Sequence, residues 1–196
     1  MSPTHDPTRR KVVAALASLP LLGASQASLG DGEAAGNSKI LVVYFSRTGN
    51  TKVIAGLLAR ARHADVFEIR PATAYPQDYL ATVEQARRER DDHVEPPLAV
   101  RMPTMADYET VFLCFPIWGE TAPPVIRSFL SGHDLAGKHV VPFITHGGYG
   151  AGDSQRVLAR HAPRAMLHAA FEMQADQERK TMEQVNRWLG DLNLPG

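Results

Sequence analysis

Residues 46–51 of this sequence read Ser46, Arg47, Thr48, Gly49, Asn50 and Thr51, which puts three hydroxyls, one glycine and a run of backbone N–H groups side by side. Apolar residues then follow at helical spacing (Val53, Ile54, Leu57, Leu58, Ala61), so the string opens a helix. Hydroxyls and free amides at a helix start are chemistry for holding a phosphate dianion. The string lacks the Gly-x-x-x-x-Gly-Lys-Ser/Thr spacing of triphosphate loops and the three-glycine dinucleotide fingerprint, so a phosphate monoester fits it better. An ordinary helix cap at Asn50 or Thr51 is the simpler alternative, but a cap needs one such side chain and not the whole string. Other reactive residue types are sparse. The single cysteine, Cys114, excludes an intramolecular disulfide framework and multi-cysteine metal patterns, and its apolar neighbours make it a small core residue rather than a nucleophile. The histidines have no metal-ligand spacing, so no metal is assigned, and no catalytic acid or base stands out. His146 and Glu120 fit loop bracing as well as proton handling, and the charged run at 87–92 reads as a solvated helix end.

The elements that would position the 46–51 string alternate in type. Residues 40–45 form a continuous apolar, β-branched run suited to a strand covered on both faces. Residues 111–115 and 140–145 repeat that pattern, 166–171 does so more weakly, and 65–70 alternates through Val66, Phe67 and Ile69. Helical patterns fall between them, from about residue 51, at 78–90 with Tyr79, Val83 and Ala86 inward, at 124–130, at 154–161 and at 177–189. On the last, Met182, Val185, Leu189 and Leu192 share a face. Five strands and five helices in alternation predict an α/β domain with a doubly wound parallel sheet and right-handed crossovers. Ligands of such sheets bind beyond the carboxyl ends of the strands.

The stretch 44–52 (Tyr-Phe-Ser-Arg-Thr-Gly-Asn-Thr-Lys) resembles the phosphate loop of the flavodoxin-like family, whose members bind flavin mononucleotide (FMN). The stretch 115–123 (Phe-Pro-Ile-Trp-Gly-Glu-Thr-Ala-Pro) resembles the second flavin loop, and 145–150 (Thr-His-Gly-Gly-Tyr-Gly) the third. Tyr75, Pro76 and Trp188 also agree with it, and the likeness runs from Lys39 to the C-terminal helix. It implies a three-layer flavodoxin-like fold with a five-stranded parallel sheet in the order 2-1-3-4-5. It further implies FMN phosphate on the first loop and the isoalloxazine ring between Pro116, Ile117, Trp118 and Gly119 on one side and Thr145, His146, Gly147, Gly148 and Tyr149 on the other. Trp118 offers a flat apolar face, Gly119 lets backbone approach closely, and the Gly147-Gly148 pair can turn its amides toward the ring. Close relatives often carry two tryptophans in the second loop. Gly119 in the second of those places leaves one side of the flavin more open.

The charges balance at 21 basic and 21 acidic side chains, which argues against nucleic acid as a partner. The N-terminus has its own pattern. Arg9, Arg10 and Lys11 precede an apolar run at 12–22 and small residues at Ser25 and Ala27, the three parts of an export signal. The paired arginines resemble a twin-arginine signal, and the run is too short for a permanent membrane helix. The expected layout is an export signal over 1–27, a flexible lead-in over 28–38 and an FMN-binding domain over 39–196, in a periplasmic or otherwise exported protein. Removing Arg9, Arg10, Lys11 and Asp6 with the signal leaves 18 basic against 20 acidic residues. Electron-carrying flavodoxins are typically strongly acidic, a property that steers them to basic partners, and this near-neutral domain lacks it. Three functions are expected in order: electron transfer through bound FMN, exchanging with a redox protein or a membrane quinol; FMN-dependent reduction of a small conjugated acceptor such as a quinone; and flavin or partner binding without turnover.

Overall fold

The run at residues 40–45 becomes β1 (Ile40–Tyr44), the first of six strands in a single sheet of this computed structural model. The structure describes residues 39–174, 185 and 187–192, all within one unit spanning Ala35–Gly196. The expected export signal and lead-in lie outside the described residues. The strands β2 (Asp65–Glu68), β3 (Thr110–Pro116), β4 (His139–His146), β5 (Met166–Leu167) and β6 (Phe171–Gln174) complete the sheet. Every pairing is parallel, and the order is β2-β1-β3-β4-β5 with β6 also on β4, the order expected from the sequence.

Both faces of the central strands are buried, which is why they read as unbroken apolar runs. Side chains alternate between faces with period 2. Leu41, Val43, Val111, Leu113, Phe115, Val140 and Ile144 pack with Val125, Ile126 and Phe129 of α3 (Pro124–Gly132) and Leu158 of α4 (Ser154–His161). Val42, Tyr44, Phe112, Cys114, Val141 and Phe143 turn the other way, onto Ile54, Ala55 and Leu58 of α1 (Asn50–Arg62). Val185 and Leu189 join that second core, and residues 187–191 are helical, in keeping with the expected terminal helix. Met182 and the start of that helix lie outside the described residues. These two cores on one sheet make the three layers.

Two elements depart from the expected pattern. The last strand is split into β5 and β6, and it runs on to Gln174 rather than ending near 171. Between the pairs Val140↔Leu167 and Phe143↔Phe171, β4 advances three residues and its partner four, so one residue bulges out. Pro142 explains the break. It faces the same neighbour as Val140, whose carbonyl accepts the His168 N–H at 2.9 Å, but it has no N–H to donate in turn. The second departure is in α2 (Tyr79–Asp91), where Ala86 is buried as expected but Tyr79 and Val83 are exposed. The helix is rotated so that Thr82 faces inward, its hydroxyl donating to the Pro76 carbonyl at 2.7 Å while Asp78 caps the Ala81 N–H at 2.8 Å.

The packing beyond α3 carries a pH dependence. His133 Nε2 accepts the Met102 N–H at 2.9 Å, and its Nδ1 lies 2.7 Å from the Phe129 carbonyl. A backbone N–H can only donate, so Nε2 carries no proton and Nδ1–H donates to Phe129. Burial, and then the charge of Arg101, hold the His133 pKa below its ordinary value. Burial and the neighbouring His139, whose Nδ1 is 2.8 Å from His168 Nε2, do the same for His168. A base whose folded pKa is depressed stabilises the fold above the ordinary histidine value of about 6.5, and that stability is lost as pH falls below it. Thermal unfolding followed from pH 7 to pH 5 is expected to show a falling Tm. His133→Gln is expected to flatten that slope.

Candidate functional site at the carboxyl ends of the strands

Three loops leave the same edge of the sheet, after β1, β3 and β4, and short bonds tie them together. Phe45 N–H donates to the Cys114 carbonyl at 2.9 Å, and Ile117 N–H donates to the Thr145 carbonyl at 2.8 Å. The buried hydroxyls of Thr51 and Thr145 meet at 3.0 Å, joining the start of α1 to the end of β4. Their exposures of 2% show that both threonines act as fasteners between loops.

The first loop ends in Gly49 at the N-cap of α1, in a left-handed conformation (φ 97°), so the helix starts one residue earlier than a cap at Asn50 would place it and two earlier than a cap at Thr51. Gly49 gives no side-chain cap, and the first turn holds no acidic residue. The leading N–H groups of α1 are therefore open to an anion with no carboxylate nearby on the helix to repel it. Ser46 Oγ accepts the Gly49 N–H at 3.1 Å, which bends the loop back over this helix end. Thr48 and Asn50 are exposed. Arg47 donates through Nη2 to the Gln77 carbonyl at 2.7 Å and lies 6.0 Å from the centre of the Tyr79 ring, while its buried Nε has no partner.

The second loop is a tight reversal. Trp118 N–H donates to the Thr121 carbonyl at 3.0 Å, with Gly119 (φ 57°) and Glu120 (φ 62°) at the two centre positions. Trp118 is held edge-on against Phe45 (5.2 Å) and Tyr75 (4.9 Å), which fixes the plane of its ring. Tyr75 in turn donates to Glu89 at 2.7 Å, and burial followed by that carboxylate pushes its pKa up. The place left by the missing side chain at Gly119 is filled from α2. A Cβ there would lie 2.6 Å from Arg90 Nη1. The more open flavin face expected from Gly119 is thus bordered by a guanidinium.

In the third loop His146 braces the backbone, its Nδ1 accepting the Gly148 N–H at 3.1 Å. Glu172 of β6 accepts the Ala151 N–H at 2.9 Å. Gly147, Gly148 and Tyr149 are exposed, Tyr149 at 83%, so its ring stands in solvent. Gly152 then passes under the second loop so closely that a Cβ would be 2.0 Å from the Glu120 carbonyl oxygen, which accepts the Asp153 N–H at 3.0 Å.

Arg47, Thr48, Pro116, Ile117, Trp118 and Gly119 together line a cleft of about 330 Å³. Ser46, Gly49, Asn50, Thr51 and the residues 145–149 do not line it. The opposite wall is α2, through Tyr79, Thr82, Val83, Ala86, Arg87 and Arg90, which the sequence pattern assigned to core or solvated surface. Only Tyr79 left a trace in the sequence, as a large aromatic on an otherwise polar helix. Cys114 is fully buried, and burial pushes its thiol pKa up. The native protein is expected to resist alkylation by iodoacetamide and to react once unfolded in urea, as mass spectrometry would show.

The family model for flavodoxin matches residues 39–192. A candidate flavoprotein of Bacteroides eggerthii is 33% identical and superposes with a TM-score of 0.71, over 80% of this chain and 99% of that one. A second from Bacteroides uniformis is 29% identical, with a TM-score of 0.68 over 76% and 98% of the two chains. The fold is also that of a Lactobacillus acidophilus flavoprotein solved in complex with FMN, 17% identical, with a TM-score of 0.63 over 74% and 99%. No curated protein matches. Three loops joined at one end of a 2-1-3-4-5 sheet, and a family match across the described domain, place this chain in the flavodoxin family.

Proposed function

We propose that the chain binds FMN and transfers electrons through it. The observation that carries this reading is the start of α1, uncapped by Gly49 and free of acidic residues in its first turn, beside a cleft walled by Trp118. Those residues fit the group: amides and the Thr48 hydroxyl for a phosphate, a fixed aromatic plane and the Gly119 backbone for a flat ring, and the buried Arg47 Nε, unpartnered among the described residues. The bound flavin would supply the redox chemistry, and the chain would position it and exclude water from one face. Thr51 and Thr145 would serve by holding the loops in register.

Residues 1–27 support export by a twin-arginine signal, a route that carries folded, cofactor-loaded proteins, and hence a periplasmic or otherwise exported location. Electrons would then be exchanged with a redox protein or a membrane quinol. The near-neutral balance of 18 against 20 in the mature domain favours, as a second reading, reduction of a small conjugated acceptor such as a quinone. Titration of the purified protein with FMN tests the central claim. Saturable quenching of flavin fluorescence is expected, with riboflavin, which lacks the phosphate, binding at least about tenfold more weakly. Equal binding of both would remove the phosphate assignment, and no binding of either would overturn the function.

A further inference from the structure

A second, larger cleft of about 1150 Å³ adjoins the first, the two sharing Gly119 and Arg90. Its walls come from α3, α4 and the segment after α2, and four arginines line it: Arg90, Arg127, Arg156 and Arg160. Arg156 is paired with Asp153 at 2.7 Å, and Glu95 lies 3.4 Å from His161. Arg90 is paired with Asp91 at 3.1 Å. Arg127 and Arg160 make no ion pair among the described residues. Arg127 keeps only 8% of its accessible surface, and its Nε is buried without a hydrogen-bond partner. Asp153 and Glu95, which line the same cleft, act on Arg127 at longer range without reaching ion-pair distance, so an anionic ligand would supply the direct partner that its Nε lacks. Burial is also the main influence on Arg127, holding its pKa below the ordinary value.

We propose that this cleft is the binding site of the electron acceptor, and that the acceptor is a small conjugated molecule bearing an anionic group, carboxylate, sulfonate or phosphate, received by Arg127 and Arg160. The proposal rests on the redox reading above and narrows its substrate class. Concavity favours a small molecule over a protein, because the most deeply buried cation is beyond the reach of a flat protein surface. Arg127 projects from α3, and Arg156 and Arg160 lie four residues apart on one face of α4, so rigid helices hold the charges. The shared edge at Gly119 and Arg90 brings the cleft to the Trp118 loop. An anion anchored on Arg127 would extend its conjugated part toward that edge.

Calorimetry with naphthoquinone sulfonate, using the full-length protein both with and without added FMN, tests the site apart from flavin chemistry. Saturable binding is expected, weakened at least about tenfold in Arg127→Leu and in Arg160→Leu. Arg160 is exposed, so its variant keeps the question open to decision if Arg127→Leu fails to fold. Competition by inorganic phosphate or by benzoate identifies which anionic group is preferred. With FMN bound and reduced by dithionite, reoxidation by naphthoquinone sulfonate is expected to saturate at lower concentration than reoxidation by uncharged naphthoquinone, and only the former should respond to the variants. Two electrons and two protons pass to the quinone, leaving hydroquinone and oxidised flavin. Binding of the sulfonate that both variants leave unchanged, or no binding at all, overturns the proposal. Sulfonate binding in a protein that takes no FMN would leave the anion site standing and remove the redox reading instead.

Discussion

Gly152→Ala is expected to lower stability by about 3 kcal/mol, or roughly 6–12 °C in Tm for a domain of this size, and to weaken FMN binding at the same time. Two penalties combine. The backbone at 152 has φ +54°, which an L side chain rarely adopts, and the new Cβ would lie 2.0 Å from the Glu120 carbonyl oxygen. Neither partner can yield easily, since Glu120 itself sits at φ 62° in the reversal that carries Trp118. Relief must come from moving residues 118–121, which shifts the wall of the cleft and breaks the bond from Asp153 N–H to Glu120. Gly137→Ala is the control. Gly137 also has a positive φ (71°), but nothing lies within 4 Å of its would-be Cβ, so only the backbone cost of about 1 kcal/mol is expected and FMN affinity should not change. Urea unfolding and flavin titration of both variants would check the pair. Equal losses would mean that Gly152 matters only for its dihedral angle.

Thr48→Glu is the substitution expected to reduce FMN affinity most while sparing the fold. Thr48 is exposed at the head of α1, so a larger side chain meets no packing barrier. A carboxylate there would set a like charge against the phosphate in the most favourable part of the helix field. Repulsion over a few ångströms in a half-solvated site is about 1.4–2.8 kcal/mol, or tenfold to a hundredfold in Kd. Riboflavin, without the phosphate, should respond far less, and that contrast is the measurement to make. The same change at Thr51 would be less informative, because Thr51 is 2% exposed and bonded to Thr145, so lost folding and lost binding would coincide.

Much of the architecture was legible because its signals are local. The β-branched runs that became β1, β3 and β4 are apolar on both faces, a pattern that only a covered parallel sheet explains. The helix over residues 154–161 likewise appears where its spacing placed it. The split between β5 and β6 was not legible, since it depends on which neighbour Pro142 faces, a matter of sheet register. The outward turn of Tyr79 and Val83 also depends on a partner elsewhere, the Pro76 carbonyl that draws Thr82 inward.

The candidate site divides in the same way. Residue types and spacing singled out 46–51 as a candidate anion loop, and the family resemblance added 116–119 and 145–149; the structure brings the three loops together at one end of the sheet. Tertiary structure decided which of them face the cleft: Thr48 and Trp118 do, Thr51 and Thr145 fasten the loops, and Tyr149 stands in solvent. It also decided that Arg90 fills the place left open by Gly119 and that Arg127, a residue unremarkable in its helix, is buried with its Nε unpartnered among the described residues. The physical reason is that a hydrophobic period or a turn residue reports on its near neighbours in the chain, whereas burial and charge balance are set by side chains that meet only when separate helices pack on one sheet.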